Sequence, residues 1–195
     1  MFYFISNERA LQKAYKKRIQ DKIQLLNEEV EKENWQKQTT LHLAAEKGYT
    51  AVCQQIIENA DDKNPKDIDG WTPLHKAAQY GHLSVCQLIV ENVDDKNPKN
   101  NWGNTPLHKA AKKGHLSVCQ LIIENVDNKN PKNSSGLTPL HWAAFKGHSS
   151  VCQLIVQKIN DNNPKNNKGQ TPSQLTRNPE IKKLMKNGIK RKITM

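Results

Sequence analysis

From about residue 40 to residue 170 the apolar residues fall into two short blocks that return every 33 positions. The first block is Leu74, Ala77 and Ala78, with copies at Leu41, Ala44 and Ala45, at Leu107, Ala110 and Ala111, and at Leu140, Ala143 and Ala144. The second is Val85, Cys86, Leu88, Ile89 and Val90, with equivalents after Val52, Val118 and Val151. Gly48, Gly81, Gly114 and Gly147 separate the blocks, and polar stretches ending near Asn64-Pro65, Asn97-Pro98, Asn130-Pro131 and Asn163-Pro164 follow them. A fixed period of this length means one supersecondary unit that cannot bury its own apolar face and stacks against copies of itself.

Residues 70 to 102 show what one unit must be. Thr72 is a good N-cap, Pro73 sits at the first helical position where its missing N–H costs nothing, and Ala77 and Ala78 favour helix. Gly81 supplies a tight break. Leu83 to Asn92 forms a second helix that Ser84 helps to cap, and its apolar residues span more than one stripe, so it is covered on several sides. Val93 to Gly103, rich in Asp, Lys, Asn and Pro, is a turn-bearing, hairpin-like connection in water. First helices are expected to begin near residues 40, 73, 106 and 139, and second helices near 50, 83, 116 and 149.

The run Gly70-Trp71-Thr72-Pro73-Leu74-His75-Lys76-Ala77-Ala78-Gln79-Tyr80-Gly81-His82, with close copies after Gly103 and Gly136, resembles the ankyrin repeat over about residues 35 to 187. The resemblance implies an all-α solenoid of L-shaped units whose loop tips and first helices form a concave face. It also implies that His42, His75, His108 and His141 hydrogen-bond near the start of each first helix. His82, His115 and His148 would order the loop that follows them. Two columns depart from the family. Ala60, Val93, Val126 and Ile159 stand where a glycine commonly ends the second helix, so Asn59, Asn92 or Asn125 is expected to take a left-handed cap instead. Lys63, Lys96, Lys129 and Asn162 replace the apolar loop anchor, a task that falls to the β-branched residues three positions earlier.

The ends differ from the middle. Residues 1 to 34 place Leu11, Tyr15, Ile19, Ile23, Leu26 and Val30 at helical spacing after a cap at Ser6, an amphipathic helix suited to covering the first repeat. A coiled-coil arm is the alternative. Residues 35 to 170 hold four repeats, residues 171 to 187 a degenerate capping repeat, and residues 188 to 195 a basic tail. The net charge is +11. More than half of it lies beyond residue 170, where Lys182-Lys183, Lys186 and Lys190-Arg191-Lys192 form either a solvated helix with a frayed tail or an import or anion-binding patch.

Phe2 to Ile5 is too short for a signal-peptide core, and no run approaches the ~18 apolar residues of a spanning helix. Cys53, Cys86, Cys119 and Cys152 share one column, on helices roughly 8 to 10 Å apart, whereas a disulfide wants Cα atoms within about 7 Å. Buried free thiols and a soluble cytoplasmic or nuclear protein are expected. His75 and Cys86 lie on different helices and lack the close spacing of zinc ligands. No phosphate loop, dinucleotide fingerprint, nucleophile elbow or H-E-x-x-H is present, and the acidic residues are mostly solvated, so neither catalysis nor a cofactor or metal is expected.

Function must then lie where the repeats differ. Large aromatics and lysines occupy variable columns: Trp71, Lys76, Tyr80, Trp102, Lys109, Lys112, Lys113, Trp142, Phe145 and Lys146. Aromatics flanked by cations that the fold does not need are the usual make-up of a protein-binding surface, although some of them packing against a neighbouring loop is the other account. The expected partner is another protein with an apolar patch rimmed by acids. The alternative is electrostatic binding of nucleic acid or an anionic membrane through the basic tail.

Overall fold

The computed structural model describes the backbone of residues 2–32 and 37–193 and the side chains of residues 8–32 and 37–186. The expected boundary at residues 34 and 35, and the side chains of Ser6 and of Lys190-Arg191-Lys192, lie outside these. Eleven helices and no strand occur among the described residues. Four helix pairs carry the repeat: α2 (Thr40–Glu46) with α3 (Thr50–Asn59), α4 (Pro73–Tyr80) with α5 (Leu83–Asn92), α6 (Pro106–Lys113) with α7 (Leu116–Glu124), and α8 (Pro139–Lys146) with α9 (Ser149–Lys158). The cap and proline pattern had placed each of these starts.

The Thr-Pro-Leu-His motif is a capping box built with histidine. In α4 the Thr72 hydroxyl accepts from the His75 backbone N–H, and His75 Nδ1 accepts from the Thr72 N–H at 3.1 Å. Using Nδ1 as acceptor leaves Nε2 as the donor, and it reaches the Asn104 carbonyl of the next repeat at 3.0 Å. His42, His108 and His141 do the same to Trp71, Leu137 and Gln170. Burial pulls these four imidazoles below their ordinary 6.5, His75 to about 3 and His108 to about 4.

The second set of histidines points the other way. Rather than ordering a following loop, His82, His115 and His148 stand at the N-termini of α5, α7 and α9 and donate from Nε2 back to the Glu46, Gln79 and Lys112 carbonyls of the first helix in the preceding repeat. His82 also displaces Ser84 from the capping role, since Ser84 lies inside α5. The ring of His115 packs onto Gly81, where a Cβ would come within 2.6 Å of it, and Gly81 itself has φ 79. Both facts exclude a side chain there.

The asparagines do not adopt the expected left-handed cap. Lys37 is the only described non-glycine residue with positive φ. Instead Asn59, Asn92 and Asn125 turn their side-chain amides back to donate to the carbonyls of Gln55, Leu88 and Leu121 at 2.7 to 2.9 Å. An open carbonyl is thus satisfied without αL backbone. Val93, Val126 and Ile159 pack partly against the core. A second anchor was not foreseen: Asn64, Asn97 and Asn130 accept from the backbone N–H groups of Leu74, Leu107 and Leu140 at the next first helix. Successive loop tips are joined by single backbone bonds, such as Asn101 N to Asp69 O at 3.0 Å, so they never build a ladder.

Helix α1 (Phe2–Lys32) begins ahead of Ser6, which therefore lies inside it. Among its described side chains, those of the second half cover the array. Leu26 is buried and Ile19 and Ile23 pack partly against the core, whereas Leu11 and Tyr15 remain 68% and 58% exposed. Lys22 sits over the Tyr49 ring and Glu29 pairs with Lys47 at 2.9 Å. At the other end α10 (Pro172–Leu175) is a single turn, and α11 (Pro179–Ile193) lays Ile181 and Met185 into the core beside α9.

Cys53, Cys86, Cys119 and Cys152 are free and buried, and loss of solvent pushes each thiol up to about 12. Thiolate is the reactive form. An aromatic disulfide reagent should therefore label none of the four quickly in the native protein and all four after denaturant; fast native labelling would show that the second-helix column is open.

Candidate functional site

Each first helix exposes one side, and on that side two positions meet across every repeat boundary, thirty residues apart in the chain. At the first boundary Glu46 and Lys76 form an ion pair of 3.2 Å. At the third, Lys112 Nζ lies 4.5 Å from the Trp142 ring centroid, a cation–π contact. At the fourth, Phe145 and Leu175 line the same groove. By the same register Gln79 and Lys109 are the pair at the second boundary.

Around these contacts the candidate residues divide into two clusters. In the first, Trp71 stands edge-on to His75 with ring centroids 5.6 Å apart, while Lys109 Nζ covers its face at 3.6 Å and Lys76 Nζ lies at 5.8 Å. Trp71 is half-buried, so its ring is partly a packing element. Burial, then the nearby Lys112 and Lys76, pull the Lys109 ammonium down to about 8.

In the second cluster Trp142 and Phe145 meet edge to face at 6.3 Å, Phe145 is 54% exposed, and Lys146 Nζ lies 5.4 Å from its ring. The two rings form one wall of an open groove of about 450 Å³. Leu137 and Leu175 make it apolar, while Ser134, Asn167 and Lys168 contribute to its polar rim. The groove exists because α10 ends after four residues and leaves the flank of α8 uncovered. Its volume falls within the range of sites that bury a ligand side chain.

The remaining candidates stand apart from both clusters. Tyr80 stacks on His82 at 6.3 Å at the end of α4, Trp102 is half-exposed at a loop tip, and Lys113 is exposed at the end of α6. The candidate residues thus form two aromatic and lysine clusters with outliers. Leu137, Leu175 and Lys168 were not among the sequence candidates. Leu137 and Lys168 do sit in variable columns, and Leu175 shares its column with Lys109 and Trp142, which was the available signal. Among the described residues no group of three or more His, Cys, Asp or Glu side chains could hold a metal ion, and no helix is long and apolar enough to cross a membrane.

The family model described as "Ankyrin repeats (3 copies)" matches residues 9–100 and 85–167, most of the chain. This chain belongs to the ankyrin repeat family. Ankyrin repeats are protein-interaction modules, and the fold is a non-catalytic interaction fold. Protein phosphatase 1 regulatory subunit 12A of Mus musculus, of Homo sapiens and of Rattus norvegicus each share 57% identity with this ankyrin chain over 35 residues. That stretch is 18% of this chain, and the chain spans only 3% of the length of these curated relatives. A match about one repeat long reports the shared ankyrin unit.

Proposed function

We propose that this chain is a protein-interaction module, acting as scaffold, adaptor or inhibitor, and not an enzyme. It takes its partner on the face made by first helices and loop tips, through Trp71, Lys76, Tyr80, Trp102, Lys109, Lys112, Lys113, Trp142, Phe145 and Lys146. The observation that carries this is the open groove walled by Trp142 and Phe145, apolar within and bordered by lysines. Such a surface suits an apolar patch with an acidic rim. The short likeness to a phosphatase regulatory subunit fits a regulator or adaptor. Four free thiols suit the cytoplasm or nucleus.

Replacing both rings, Trp142→Ala with Phe145→Ala, should weaken a purified partner first captured by the wild type by more than about 2 kcal/mol. The melting curve should hardly move, because Phe145 is exposed and Trp142 only half-buried. Unchanged affinity, with binding lost on deleting residues 188 to 195, would transfer the site to the basic tail.

A further inference from the structure

The four boundary contacts of the first helices use one register with four chemistries. Where the first boundary has the Glu46 carboxylate against Lys76, the second has the neutral Gln79 in the position of Glu46 and Lys109 in the position of Lys76. Lys109 has the ring of Trp71 on one side and no carboxylate partner among the described residues. Its neighbours on this face make the deficit larger, since Lys112 at the next step turns its ammonium onto Trp142. A half-buried ammonium held over an aromatic face without a counter-charge is an incomplete ion pair.

Resting on the interaction role proposed above, we infer that the space between Gln79, Lys109 and Lys112 is the seat of a carboxylate supplied by the partner, an acidic peptide segment whose apolar side chain enters the Trp142 and Phe145 groove. The seat lies at the second boundary and the groove at the fourth, two repeats apart. Adjacent helices stand roughly 8 to 10 Å apart and an extended chain advances about 3.3 Å per residue. Acid and apolar anchor are therefore about five or six residues apart in the bound segment. The register also sets a direction: the acid lies toward the first repeat and the anchor toward α10. Internal neutralisation explains why the first boundary is not a second seat, because Glu46 already occupies Lys76. The depressed Lys109 ammonium, near 8, is the cost that an arriving carboxylate would relieve.

The test is to supply the missing carboxylate from within. Gln79→Glu copies the Glu46 arrangement, and the Gln79 backbone carbonyl that His115 uses is untouched by the change. Short random peptides displayed on phage are selected against the wild-type chain, and an enriched peptide is remade with a fluorophore for anisotropy. The expected result is a selected pattern of one aromatic or aliphatic residue with Asp or Glu about five or six positions away. Its affinity should fall about tenfold or more for Gln79→Glu and for Lys109→Met. In the partner-free chain, the Lys109 side-chain resonance should titrate near 8 and move up in Gln79→Glu. Should Gln79→Glu fold poorly, Lys109→Met decides alone. Peptides that lose affinity for the Trp142 and Phe145 double variant but bind both seat variants like wild type would overturn the seat and leave the interaction role standing. Binding that survives all three variants, or enrichment of peptides without acids, would overturn the inference, and survival of the double variant would overturn the groove as well.

Discussion

Lowering the pH from about 7 to about 4 is expected to destabilise the array steeply, and the histidine capping boxes are the cause. His75 and His108 lie almost wholly out of water, their Nδ1 atoms already accept from Thr72 and Thr105 N–H groups, and a proton there would replace an acceptor with a donor facing donors. Their folded values, about 3 and about 4, stand below the ordinary 6.5. The unfolded chain therefore binds more protons between 6.5 and those values. The stability is fully present above about 6.5 and is lost as the pH falls toward 4, on the order of 3 kcal/mol for each of the two. His42 and His141 shift in the same direction for the same first reason, burial. Urea midpoints at several pH values measure this, and a midpoint unchanged down to about pH 4 would contradict the buried neutral imidazoles. The chain contains its own control. In the last repeat Gln174 Oε1 accepts from the Thr171 N–H at 2.9 Å, the same cap without a titrating ring. His108→Gln should keep that local bond, lose the reach to Leu137, and reduce the acid-induced loss.

The second large effect is expected from Leu107→Ala, at roughly 2 to 5 kcal/mol. Leu107 is fully buried in α6, between α4 and α8, so its removal opens a cavity with both neighbouring repeats as walls. Because a solenoid is held together by nearest-neighbour interfaces, the loss should appear as a lower denaturant midpoint together with a shallower transition. An unmoved midpoint would show that the leucine column is not what joins the repeats.

The starts of all eight repeat helices were legible because threonine, proline and glycine act locally, within one turn of the residues they cap or break. The histidine reach was only half legible. Thr72 and His75 are three residues apart, but the Asn104 carbonyl is twenty-nine residues from His75 and the Glu46 carbonyl thirty-six from His82, so the bond partners depend on how repeats stack. The Asn59 cap shows another limit. Asparagine can end a helix by its backbone or by its side chain, and sequence does not choose between them. At the candidate site the aromatic columns were visible as departures from the repeat, yet the groove arises from the early end of α10, and Leu175 becomes a wall only once α8 and α10 lie together. The covering helix illustrates the same point: the stripe from Leu11 to Val30 is continuous, but Leu11 and Tyr15 stay exposed while Ile19, Ile23 and Leu26 pack onto the first repeat.

The two sets of histidine bonds, one reaching forward to the next repeat and one backward to the previous, also define where the array stops. An internal unit offers one imidazole to each neighbour and receives one from each, so a further 33-residue copy inserted in phase would bring its own connections and find the others waiting. Nothing in the middle limits the number of copies. Two positions differ at the ends: Tyr49 stands in the backward column, where α1 and its Lys22 replace a preceding repeat, and Gln174 stands in the forward column, where its Oε1 keeps only the local cap. Restoring histidine at both positions would leave two unanswered donors at the ends, a ready join for grafting additional units.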